Sequence, residues 1–243
     1  MKNSLSAALF ALAIIVGMWL AASAYKYKFR SSETISVTGL AEVDFSSDLI
    51  VWSGTFNRYG YDLKTAYVAL KQDEAAIKAY LNQNGIADSN IVFGSVTTLK
   101  NYQRKFDREG NEISSEFTGY TLTGNVRVGS RDIDKVERLS RSITGLLEKG
   151  IELSSNAPEY YYTRLNELKI DLLAKAGADA KTRAETIAQN SGGALGGIKK
   201  ATMGVFQITG KNSNEAFSYG GAFNTSSREK TASITLRVDY LAR

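Results

Sequence analysis

The chain has 243 residues, 43% of them hydrophobic and 23% charged, an ordinary balance for a globular protein with a sizeable core. It contains no histidine and no cysteine, which excludes thiolate nucleophiles, imidazole bases, a Ser-His-Asp triad, Cys/His zinc sites and disulfides. The formal charge of +5 sits at the start, where Lys2, Lys26, Lys28 and Arg30 precede the first acid, Glu33; beyond them 26 bases face 25 acids, too even a balance to predict a nucleic-acid partner.

Leu5 to Ala24 carries no charge, and about 20 apolar residues suffice for a helix to cross a bilayer. Trp19 and Tyr25 lie towards one end, as interfacial aromatics do, with Lys26, Lys28 and Arg30 in reach of headgroups. Two readings stand for residues 1–30. The length of the run favours an uncleaved membrane anchor. A signal peptide would use Lys2 as its basic start and be cleaved near Ala24, after Ala22-Ser23, releasing a soluble exported protein. The charges flanking the span, counted alone, would leave the domain in the cytoplasm.

From Ile35 to Phe45 apolar and polar residues alternate with period two, which predicts a half-buried strand; Leu49 to Asn57 reads as a second, and Ser46-Ser47-Asp48 as a turn making the two a hairpin. Asp62 to Asn82 has helical spacing and is stopped by Asn84-Gly85. Ile91–Phe106 and Phe117–Val128 read as two long strands around the polar turn 107–111. Asp132–Glu148 reads as a second helix, Ile151–Ala157 as a short strand and Tyr162–Asn190 as the longest helix, with an alanine-rich stripe. Ile198–Ile208 and Thr231–Tyr240 close the chain as strands, separated by a long Gly/Ser/Asn-rich connection at 211–230. This order predicts one α+β domain over residues 34–241. It has two related halves of mainly antiparallel sheet with helices packed on one face, preceded by the transmembrane or signal helix.

Three stretches in this order carry a resemblance. The opening strand from Ile35 to Val43, the acidic helix start Arg131-Asp132-Ile133-Asp134, and the Ala-rich helix Leu165–Ala188 followed by Ser191-Gly192-Gly193-Ala194-Leu195-Gly196 resemble the SIMPL family, a domain of unknown function. The second strand departs from the family pattern, with Ser47-Asp48 where a Pro-Asp pair is common. The resemblance implies a domain outside the cytoplasm, periplasmic or envelope-associated. Some members resemble factors linked to oxidative-stress defence. It implies no catalytic residues and no cofactor.

Each candidate for chemistry has a structural alternative. Asp132 and Asp134 would make a carboxylate pair, but acids also favour a helix N-terminus. The glycines at 191–197 follow a helix, so they read as a C-cap and not as a phosphate cradle. Tyr160, Tyr161 and Tyr162, next to the only proline, Pro158, would stack on a sugar, line a subunit interface or pack a corner. Phe217, Tyr219 and Phe223 would anchor the 211–230 loop in a partner or membrane, or ride on a mobile surface loop. The expectation is a non-enzymatic envelope protein that associates with copies of itself. A glycan-binding module is one alternative and a carboxylate-based hydrolase another.

Overall fold

The computed structural model describes residues 2–30 and 33–242, with side chains from 11 to 26 and from 33 to 242. A 29-residue helix, α1 (Lys2–Arg30), leads the chain. Among the described residues no helix is long and apolar enough to cross a membrane.

Two sheets follow. β1 (Thr34–Ser46) does not pair with β2 (Leu49–Gly60), as a hairpin would require. β1 pairs antiparallel with the last strand, β10 (Glu229–Ala242), in unbroken register from Thr34↔Leu241 to Ser46↔Glu229. β8 (Leu195–Met203) and β9 (Gln207–Gly210) complete this first sheet on the far side of β10. β2 enters a second sheet with β3 (Ile91–Phe93), β4 (Thr97–Phe106), β5 (Glu112–Ser130), β6 (Glu152–Ser155) and β7 (Glu159–Tyr161), in the order β3-β5-β2-β6. The two halves are therefore not consecutive in sequence: the first strand belongs with the last ones.

The switch between sheets occurs over two residues. Ser47 N donates to Arg228 O at 3.0 Å, on the first-sheet side, and Asp48 N donates to Tyr161 O at 3.0 Å, on the second-sheet side. The Asp48 carboxylate accepts from Thr163 N and from Thr163 Oγ1, both at 2.7 Å. Backbone groups that a hairpin turn would pair locally are thus satisfied by two different sheets.

The second sheet carries the larger core. Ile50, Trp52 and Phe56 of β2 and Leu122, Val126 and Val128 of β5 pack against Leu70, Ile77 and Leu81 of α2 (Leu63–Gln83) and Val136 of α3 (Ile133–Ser142). Asp62 caps α2 and Asp132 caps α3, each accepting from the backbone N–H three residues on. The helix expected to run to Glu148 tightens at Ile143 into 3₁₀ geometry that ends at Gly150. The buried Trp52 indole N–H donates to Ser155 Oγ at 2.9 Å, which donates on to Ser140 O at 2.7 Å. Arg58 of β2 holds the buried Asp73 of α2 in a bidentate pair. The strand expected over 91–106 is broken at 94–96, where the Gly94 N–H bonds to Asn125 O and one extra residue shifts the register against β5.

A single helix, α4 (Leu165–Asn190), covers the first sheet through Leu172, Ala176, Ala180 and Ala184, all fully buried. The small residues set the distance. A methyl group built on Gly39 of β1 would lie 2.1 Å from Ala176 O. The helix ends in a Schellman motif: Gly192, at φ 73°, donates to Gln189 O, and Gly193 N donates to Ala188 O at 2.9 Å. Gly39→Ala is expected to lower stability by about 1–3 kcal/mol, read as a fall in Tm by circular dichroism. Gly197→Ala, with nothing within 4 Å of the added methyl, leaves Tm unchanged.

Candidate functional site

The three tyrosines of the proline corner are separated, not gathered. Tyr160, on β7, leans on the second-sheet core and donates to Glu137 Oε1 at 2.9 Å. Tyr161 points to the other face and donates to Glu159 Oε2 at 2.8 Å. Tyr162 packs its ring 4.9 Å from Phe45 of the first sheet, with the Arg164 guanidinium 5.6 Å from its centroid. They brace the joint between the sheets and offer no shared ring surface. Asp132 is spent on its cap and on Lys135 at 3.0 Å. Asp134 takes the Arg228 guanidinium at 2.6 Å, clasping α3 to the start of β10. Among the described residues no group of three or more acids could hold a metal ion.

The connection at 211–228 is pinned by a polar network that sequence reasoning missed. Gln207 of β9 uses its side-chain amide as a strand would use its backbone: Nε2 donates to Ser218 O at 2.8 Å, and Oε1 accepts from Ser218 N and Ala222 N. Lys230 is buried and donates to Asn224 O at 2.6 Å and Asn224 Oδ1 at 3.2 Å. Burial pushes the Lys230 ammonium below the usual lysine range, and the Glu215 charge opposes that shift. Glu215 itself bonds Asn224 Nδ2 and Gly210 N. The network holds Phe217, Tyr219 and Phe223 exposed, Tyr219 completely so. Phe217 and Tyr219 border a small apolar cavity of about 230 Å³ against Leu40, Val205 and Thr235. The only signal for this in the sequence was a lysine in phase with the inward face of β10.

The most prominent exposed element is a two-stranded arm. β4 and β5 continue past the body of the second sheet, and from 102 to 116 every residue is exposed. Asp107 closes its tip, accepting from Glu109 N at 2.9 Å and Asn111 N at 2.8 Å. At its base Phe117 meets Tyr61, Tyr102 and Tyr120 with ring centroids 5.4, 5.7 and 5.1 Å away. Beside Tyr61 an open groove of about 530 Å³ runs past Asp62, Lys64, Tyr67, Val96 and Thr98.

On α1, the side chains of Trp19, Tyr25 and Lys26 are exposed. Those of Lys28 and Arg30 lie outside the described residues.

A family model described as SIMPL, protein of unknown function (DUF541), matches residues 35–240. The chain belongs to the SIMPL family. The match runs from the second residue of β1 to near the end of β10, so the SIMPL domain comprises both sheets and the arm and leaves α1 outside. No curated protein matches the sequence.

The joint of this SIMPL domain has a measurable pH signature. Burial, then the bond to Glu137, pushes the Tyr160 phenol up to about 12, against about 10 in an unfolded chain. The folded state therefore keeps its proton longer. The stability this confers is complete below about pH 10 and is lost as pH rises towards 12. Urea midpoints of the wild type are expected to fall more steeply over that window than those of Tyr160→Phe.

Proposed function

We propose that this SIMPL protein is a non-enzymatic component of the cell envelope, held at the membrane by its leader, that works by associating with copies of itself. The arm carries the reading. An isolated two-stranded ribbon is marginal in water, yet here 15 consecutive residues are built as one without cover from the rest of the domain. A partner strand or surface would supply the missing contacts. The resemblance of some family members to factors linked to oxidative-stress defence suggests a protective role for such an assembly.

The leader supports the membrane part. Apolar side chains on α1, such as Ile15, Met18 and Trp19, are each more than 60% exposed, a costly arrangement in water and a favourable one in lipid. The uncharged sequence from Leu5 to Ala24 extends beyond the described side chains at its start and reaches about the length of a span. The charges around it, counted alone, would leave the domain in the cytoplasm; the outward placement rests on the resemblance to the family's exported members.

Light scattering on the detergent-solubilised full chain is expected to give a protein mass several times 26.5 kDa. A strict monomer at high concentration contradicts the proposal. In cell fractions the chain is expected with the membrane at full mass; a soluble product lacking the first 24 residues would replace the anchor with a cleaved signal.

A glycan-binding reading draws on one observation, the open groove past Tyr67, because a phenol face with polar neighbours suits a sugar ring. It moves the site away from Tyr160–Tyr162.

A further inference from the structure

β1 and β4 are the longest strands of this fold that keep one edge without a partner strand along their whole length among the described residues. β1 pairs only with β10, and β4 pairs only with β5. On β1 the Leu40 N–H points away from β10 and is taken by Asp179 Oδ2 of α4 at 2.8 Å. The backbone groups of Ser36 and Thr38 are in phase with Leu40, so they too point outward. Beside them, between β1 and α4, lies a groove of about 460 Å³ lined by Ser36, Thr38, Thr182, Arg183, Thr186 and Ile187. A strand laid along Ser36–Thr38 would gain main-chain bonds there, and the groove would receive its alternate side chains.

Charge selects which strand. β1 contains Glu42 and Asp44 and no base; β4 contains Lys100, Arg104 and Lys105 and no acid. Asp44 already meets Lys211, and Arg104 meets Glu112. Glu42, Lys100 and Lys105 have no ion pair among the described residues. Like charges placed opposite each other destabilise a strand pair and opposite charges favour it. A second β1 is therefore a poor partner for β1, and a second β4 for β4, whereas β4 against β1 is matched. The arm carries β4 clear of its own domain, free to reach another.

We infer that β4 of the arm adds to the free edge of β1 in a second copy of this chain. The inference rests on the self-association reading and specifies its contact. Each copy offers one arm and one β1 edge, so the contact is head-to-tail and builds a closed ring or a filament. Asp179, which also holds Arg183, occupies the edge at Leu40, so the incoming strand bonds at Ser36–Thr38 on one side of that point and runs on past it to bring its lysines to Glu42.

The test uses the full chain in detergent. Lys100→Glu with Lys105→Glu reverses the arm, and Glu42→Lys reverses the β1 edge. Each variant alone is expected to fall to the mass of one chain, 26.5 kDa, and an equimolar mixture to recover the wild-type mass, because both contacts are then matched between unlike copies. If the arm variant assembles like wild type, or the mixture stays monomeric, the edge pairing is overturned while self-association stands. If the wild type is itself a monomer, both fall. Recovery on mixing the arm variant with Glu112→Lys/Glu116→Lys instead would place a second arm at the contact and also overturn the inference. A readout on unreversed charges guards against misfolded variants. The chain has no cysteine, so Thr38→Cys and Gln103→Cys are expected to cross-link through a short bis-maleimide when mixed, and much less when either is alone. Absence of the mixed product contradicts the pairing.

Discussion

Everything in this fold depends on how Ser47 and Asp48 leave one sheet and enter another. A hairpin at this point would have zipped β1 to β2 and merged the domain into one continuous sheet. Instead the two amides bond to Arg228 and Tyr161, strands far apart in sequence, and the Asp48 carboxylate fixes Thr163 just ahead of α4. Once the chain crosses there, β1 must find β10, and β2 must find β5. The joint is then closed from several sides. Tyr162 packs on Phe45, Arg228 reaches Asp134, and Tyr160 N bonds to Thr225 O at 2.7 Å.

The crossing also decides what is left open. Splitting the strands between two sheets multiplies edges, and edges are a liability that proteins cover, charge or use. Here Asp179 plugs β1 at one point, lysines mark β4 and β8, and the Gln207 amide substitutes for a strand against the 211–228 connection. The residues that sequence alone marks as chemical groups serve as parts of this architecture. Asp132 caps a helix, Asp134 holds an arginine, and the glycines after α4 form its C-cap.

Local features were legible in the sequence wherever the physics was local. The period-two strands, the helix starts at Asp62 and Asp132, and the glycine stop after Asn190 depend on neighbours within one turn or one pleat. The α+β class and the SIMPL resemblance followed from their order. Pairing was not legible, because Ser46-Ser47-Asp48 has the composition of a turn whether the chain reverses within a sheet or passes between two. Neither was the fixing of the 211–228 connection. It depends on a buried lysine and a glutamine amide finding partners some 6 to 15 residues away, and a Gly/Ser/Asn-rich stretch gives no periodic signal of that. The tyrosine run looked like one surface in sequence, and strand alternation sent its rings to different sides.

In the proposed assembly the arm is a strand ordered by its own hairpin and completed by another copy. Amide hydrogen exchange measured across a dilution series of the full chain tests this most directly, since it reports backbone pairing itself. The amides between 102 and 116 and those of Ser36 and Thr38 are expected to gain protection together as concentration rises. Arm amides that exchange at one unchanging rate from the most dilute to the most concentrated sample would contradict it.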